Sequence, residues 1–175
     1  MNPIDQAVEI LKSGNVIGLP TETVYGLAGD IKNPKSIDAI FATKKRPFFD
    51  PLIVHIAHLV QIKSVVSEFA DLPQFLAEKF WPGPLTMVLP KAKGLNPKIT
   101  SGLETVAVRF PNHSMAQKVI NKLGSPVAAP SANLFGKTSP TTAEHVIKEF
   151  NNKVFVLDGG PCSIGLESTV IGFDL

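Results

Sequence analysis

With 175 residues, 44% of them hydrophobic and 18% charged, the chain is long enough to bury a core and too apolar to be disordered. A formal net charge of +2 suits anionic ligands without demanding nucleic acid. One cysteine, Cys162, excludes an internal disulfide, and no stretch is long and apolar enough to span a bilayer as a helix. Asp5 and Glu9 among the first apolar residues argue against a signal peptide, so the chain reads as cytoplasmic.

Residues 2–13 place Ile4, Ala7, Val8 and Leu11 on one face at helical spacing. Asn2 can cap this helix, Pro3 suits its first turn and Gly14 ends it. The apolar run 16–19 predicts a buried strand. It leads into residues 20–27, Pro-Thr-Glu-Thr-Val-Tyr-Gly-Leu, which hold the chain's only tyrosine. Thr21, Thr23 and Val24 are β-branched and suit a longer strand, with Gly26 as its turn. Alternatively, the same residues form a polar cluster just past a strand end, where open α/β sheets bind ligands.

Residues 34–43 predict a second helix with Ile37, Ile40 and Phe41 inward, running into Lys44-Lys45-Arg46-Pro47. A strand is expected at 51–56 and helices at 59–66 and 72–80, the second broken by Trp81-Pro82-Gly83-Pro84. A strand at 85–89 and a loop at 91–102 precede a strand at 105–110 that carries Arg109. Met115, Val119, Ile120 and Leu123 define a helix at 114–123. A short strand at 126–129 precedes Pro130-Ser131-Ala132-Asn133. A helix after Pro140 carries a capping box of Thr141 and Glu144. Strands at 153–157, ending in Asp158-Gly159-Gly160, and at 167–173 complete the chain. This alternation predicts one α/β domain over residues 1–175, a mixed sheet with helices on both faces.

Polar groups gather at predicted strand ends: residues 21–25, Arg109, Ser131 with Asn133, Asp158, and Ser168 with Thr169. Lys44 and Arg46 close a helix, where cations offset the helix dipole. An arginine fork beside a lysine, aimed by Pro47, also suits a polyphosphate. Ser131 lacks a Gly-x-Ser-x-Gly frame, so it is not in a nucleophile elbow. Its hydroxyl and the Asn133 amide serve either a ligand or an ordinary turn. The four histidines have no metal-ligand spacing, so no metal site is expected; His55 stands out inside an apolar strand. Cys162 has no base partner in sequence, and no Walker A or Rossmann glycine pattern is present.

These blocks, in this order, resemble the YrdC/Sua5 family, the threonylcarbamoyl-AMP synthases. The matching blocks are residues 20–27, Lys44-Lys45-Arg46-Pro47 with residues 51–55, residues 80–86, residues 105–109, residues 129–133 with Ser139-Pro140-Thr141, and Glu167-Ser168-Thr169-Val170. The resemblance implies a strongly twisted mixed sheet around a concave basic cavity. It implies a nucleotidyltransferase that makes threonylcarbamoyl-AMP and pyrophosphate from L-threonine, bicarbonate and ATP with Mg²⁺, and no prosthetic group. The product would pass to a transferase that makes N6-threonylcarbamoyladenosine in tRNA.

By resemblance, Thr23, His55, Arg109, Ala129 and Ser168 would surround threonine. Lys44, Arg46, Asp50, Thr105, Ser131, Asn133 and Ser139 would surround ATP, with Lys44 and Arg46 acting on the triphosphate. Lys45 stands where the family usually has glycine, Asp50 where asparagine is usual and Ser114 where proline is frequent. The expected form is a single-domain one, without the later arginine-proline-glycine segment of longer relatives. Two alternatives stay open: a paralogue with another carbamoyl or acyl substrate, and a non-catalytic module for tRNA or double-stranded RNA.

Overall fold

In the computed structural model, which describes residues 2–173, the Asn2 side chain accepts from the Ile4 N–H and starts helix α1 (Pro3–Lys12). Strand β1 (Ile17–Leu19) turns back antiparallel into β2 (Gly26–Asp30). β2 is a correction to the sequence reading, which ended the strand with the opening motif and placed none here. The all-buried Gly-Leu-Ala-Gly-Asp run lacks the alternation or β-branched enrichment that marks a strand.

Helix α2 (Pro34–Lys44) follows, capped by Asn33, and then β3 (Ile53–His55). The segment read as a helix at 59–66 is a 3₁₀ turn, Leu59–Ser64, started by His58. Helix α3 (Asp71–Phe80) leads to the hairpin of β4 (Leu85–Pro90) and β5 (Thr105–Arg109). Helix α4 (Ser114–Leu123), β6 (Val127–Ala128), α5 (Ala143–Glu149), β7 (Phe155–Val156) and β8 (Thr169–Ile171) complete the order. The cap of α5 is Thr142, whose hydroxyl accepts from the His145 N–H at 3.3 Å, one residue beyond the expected Thr141.

The strands form one mixed sheet in the order β7-β1-β2-β6-β3-β5-β4-β8. Side chains alternate across it. Leu27 and Ala128 point into a core with Ile37, Ile40 and Phe41 of α2; Ala28 and Val127 point into another with Val8 and Leu11 of α1 and Val119 and Ile120 of α4. Both faces are therefore covered, as expected.

Helix α2 ends on Lys45 in the left-handed region, φ 51° and ψ 37°. A side chain is strained there by about 1–2 kcal/mol, which explains why glycine suits the position. Part of that gain is offset by glycine's greater unfolded-state entropy. Lys45→Gly is expected to raise the urea midpoint, by up to ~1 kcal/mol of stability. A lower midpoint would contradict this account.

Candidate active site

The sheet register builds the site. β3 and β5 run parallel with His55 opposite Arg109, and β4 runs antiparallel to β5 with Thr86 opposite Arg109. Register partners project to the same face, so His55, Arg109 and Thr86 form a row across three strands. Ser168, just before β8, extends the row: its hydroxyl lies 2.7 Å from that of Thr86. Ala129, just past β6, donates its N–H to the Ile53 carbonyl at 2.9 Å and flanks the row on its other side.

Thr23 reaches this row from the β1–β2 connection. Residues 21–25 are neither strand nor a simple turn. The Thr21 hydroxyl accepts from the N–H groups of Thr23 and Val24, both at 3.2 Å, and donates to the Val24 carbonyl at 2.6 Å. That proton being spent, Thr23 is the donor across the 3.0 Å contact between the two hydroxyls. The Thr23 oxygen in turn accepts from Arg109 Nη1 at 2.6 Å, while Arg109 Nε donates to the Gly83 carbonyl at 3.2 Å.

Tyr25 anchors the far end of the connection. Its hydroxyl donates to the Gly160 carbonyl at 2.8 Å and accepts from the Gly159 N–H at 3.1 Å. Gly26 allows the next close approach: a Cβ there would meet the Ala129 Cβ at 3.1 Å. Pairing of Gly26 with Ser131 brings the Pro130–Asn133 turn alongside.

That turn holds Lys44. The lysine is almost fully buried, and its ammonium donates to the carbonyls of both Ser131 and Asn133. Arg46 Nη2 lies 2.9 Å from Asp50 Oδ1 and donates to the Pro51 carbonyl at 2.9 Å; its Nε donates to the Asp50 carbonyl at 3.1 Å. Asp50 thus restrains Arg46 as well as adding charge. Asn133 and Ser139 line a cavity of about 470 Å³ with Thr141, His145 and Lys148. An equal cavity beside Ile10, Ala39 and Phe155 holds none of the residues picked from the sequence.

Two of the residues expected beside ATP are placed as follows. The Asn133 amide donates to the carbonyls of Leu134 and Lys137, so its NH₂ shapes the turn and only its buried Oδ1 lacks a partner. Thr105, expected beside ATP and not in the row, is exposed at the start of β5, four residues and roughly 13 Å along the extended strand from Arg109.

A family model described as Sua5, YciO and YrdC, "telomere recombination", matches residues 9–174. The chain belongs to this family. The threonylcarbamoyl-AMP synthase of Bacillus subtilis is 46% identical over 96% of this chain, which spans 49% of that protein. The chain therefore covers about half the length of this relative. The shorter Vibrio vulnificus threonylcarbamoyl-AMP synthase is 34% identical, with 88% of this chain and 84% of that protein aligned. The structure of Pyrococcus abyssi Sua5 complexed with L-threonine superposes with a TM-score of 0.95 and 46% identity, covering 97% of this chain and 50% of that one.

Two of these groups carry large pKa shifts. His55 is buried and lies beside the Arg109 charge; burial first, then that charge, pushes its pKa down to about 3. It is a neutral imidazole under all working conditions. Nδ1 faces the Ile53 carbonyl at 3.4 Å, which assigns it the proton and leaves Nε2 as an acceptor.

Burial, reinforced by the Arg46 charge, lowers Lys44 to about 8. Lys44 is then cationic below pH 8 and loses its charge as pH rises through that value. ATP affinity is expected to be fully developed at pH 7 and to weaken above pH 8, by up to ~10-fold per pH unit until the pKa of the complex is reached. ATP titrations from pH 7 to 10 check this; a flat dissociation constant would show that Lys44 does not meet the nucleotide.

Sequence reasoning assigned no role to three groups. Glu22 is buried against Arg109, Nη2 to Oε2 2.7 Å; Thr86 bonds Ser168; Glu167 accepts from the Ser139 hydroxyl. Glu22 was detectable as the one carboxylate in the opening motif. Thr86 looked like any strand threonine.

Proposed function

We propose that the chain carries the threonylcarbamoyl-AMP synthase activity of the relatives it resembles, forming threonylcarbamoyl-AMP and pyrophosphate from L-threonine, bicarbonate and ATP. The observation that carries this reading is the row of His55, Arg109, Thr86 and Ser168 meeting Thr23. It joins a buried cation, a neutral imidazole acceptor and hydroxyls, the set an amino acid with a hydroxyl side chain requires. The Pyrococcus abyssi structure with L-threonine supports it, at 46% identity.

The neutral threonine amine adds to the bicarbonate carbon and water leaves, giving a carbamate. The new carboxylate oxygen attacks the α-phosphorus, the bond to the bridging oxygen breaks, and pyrophosphate leaves. Attacker and target are both anionic, so juxtaposition and charge offset dominate the barrier; positioning alone can supply roughly 7–11 kcal/mol. Arg109 holds the α-carboxylate, and Lys44 and Arg46 face the phosphates. Lys44 couples them to the Ser131–Asn133 turn, so the ammonium that meets the nucleotide is already oriented by two carbonyls.

Magnesium bound to a nucleotide needs only one or two protein carboxylates. Asp50 and Glu167 both lie close enough to raise the Lys44 pKa, and Arg46 and Ser139 engage a single oxygen of each. These residues fit such an ion, which would offset triphosphate charge when bound. Among the described residues, no group of three or more His, Cys, Asp or Glu is arranged to hold a metal by itself. The product would feed a transferase acting on tRNA in the cytoplasm; no described helix is long and apolar enough to cross a membrane.

The test is pyrophosphate release from Mg-ATP and bicarbonate, with and without L-threonine. Release that requires both threonine and bicarbonate is expected. Release indifferent to threonine would favour another acyl substrate. RNA binding with steep salt dependence and no ATP turnover would favour the binding module.

A further inference from the structure

The reading above leaves the α-ammonium of the amino acid without a counter-charge. Arg109 suits the α-carboxylate, and His55 and Thr23 suit a hydroxyl, but none of these is an anion for the α-ammonium. Glu22 is an anion, placed between Thr21 and Thr23. Its side chain is 6% exposed and its carboxylate lies 2.7 Å from Arg109 Nη2. Even so, neither carboxylate oxygen nor Nη2 has an aligned hydrogen bond. The proximity is an ion pair without the straight, bidentate geometry of an arginine–carboxylate fork.

A buried carboxylate offers about four acceptor positions and is costly to leave without donors. The fold nevertheless fixes it. The Glu22 carbonyl accepts from Ile164 N–H at 2.8 Å, and the Thr21 hydroxyl network pins the residues on both sides. Nor does Arg109 need Glu22 for its orientation, since Thr23 and the Gly83 carbonyl already hold Nη1 and Nε. Two other titratable groups sense the Glu22 charge: burial lowers the His113 pKa and raises that of Cys162, disfavouring the charged form of each.

We propose that Glu22 receives the α-ammonium of the amino-acid substrate, an inference that rests on the amino-acid reading of this site. A zwitterion seated here sets its carboxylate against Arg109 and its ammonium against Glu22. Opposite charges then alternate across the site, and the three ammonium donors meet oxygens that have none. Arg109 and Glu22 together read the α-amino-acid group, while His55 and Thr23 read the side chain.

Calorimetric binding to wild type and Glu22→Gln tests this with two ligands: L-threonine, and the dihydroxy acid in which a hydroxyl replaces its amine. Wild type is expected to bind threonine and to bind the dihydroxy acid much more weakly. Glu22→Gln is expected to lose roughly 10- to 100-fold in threonine affinity, the scale of a hydrogen bond to a charged group, while the dihydroxy acid changes by less than about twofold. Equal losses for both ligands would overturn the proposal, because Glu22 would then act only through Arg109. Unchanged threonine binding would overturn it too. A wild type that binds no threonine would instead defeat the amino-acid reading itself. If Glu22→Gln fails to fold, Glu22→Asp keeps the charge but retracts it. The preference for threonine over the dihydroxy acid should then fall severalfold, and an unchanged preference would count against the assignment.

Discussion

Truncating Arg109 to alanine is expected to cost about 3–5 kcal/mol of folding stability and to abolish threonine-dependent pyrophosphate release. The reason is burial. Arg109 is 3% exposed and Glu22 5%, and they sit 2.7 Å apart. Removing the guanidinium leaves a carboxylate desolvated without its counter-charge, and it also removes the donors that Thr23 and the Gly83 carbonyl receive. Replacing both charges separates fold from function. The double variant Arg109→Met with Glu22→Leu is expected to regain most of the lost stability, since a buried ion pair is often neutral against apolar residues of similar volume. It should stay inactive. Urea denaturation and the pyrophosphate assay measured on the three proteins check both halves. Threonine-dependent turnover in the double variant would remove Arg109 from the substrate site.

Valine is expected to fall roughly 10⁴-fold or more below threonine in kcat/KM, and serine only about 10–200-fold. Serine loses one methyl contact. Valine keeps the shape of threonine but leaves the acceptor Nε2 of His55, buried and permanently neutral, without its donor. A cationic imidazole would compete with water and substrate as a donor; a neutral one whose Nδ1 faces the Ile53 carbonyl can only accept at Nε2. The order threonine, serine, then valine far behind is therefore set by one tautomer. Valine matching serine would show that the hydroxyl is not read.

The strand-end clusters were legible because chemistry at a sheet edge leaves a local trace: an apolar run, then polar residues. Helix limits at α1, α2 and α4 followed from capping and period, and α4 came out at its expected bounds. The residues 21–25 were harder. Threonine and valine carry high strand propensity, but the Thr21 hydroxyl offers nearby N–H and C=O groups a closer partner than a neighbouring strand, so the chain loops. β2 escaped notice because two glycines and an aspartate bracket its apolar pair, and its pairing energy comes from β1 and β6, not from its own composition.

By itself, the sequence determined the class of fold, both covered faces of the sheet, and most of the polar residues that make the site. It did so through signals a few residues long: periodicity, caps, and strand ends. Only the tertiary structure decided which of those residues meet. His55, Arg109 and Thr86 lie on three strands, and a shift of one residue in any strand would turn its side chain to the opposite face. Thr23 and Arg109 are 86 residues apart along the chain, and Glu22 is one further, yet burial joins all three. Burial also set the charges, making His55 neutral and softening Lys44, because the cost of a charge depends on the solvent it has lost and not on its neighbours in sequence.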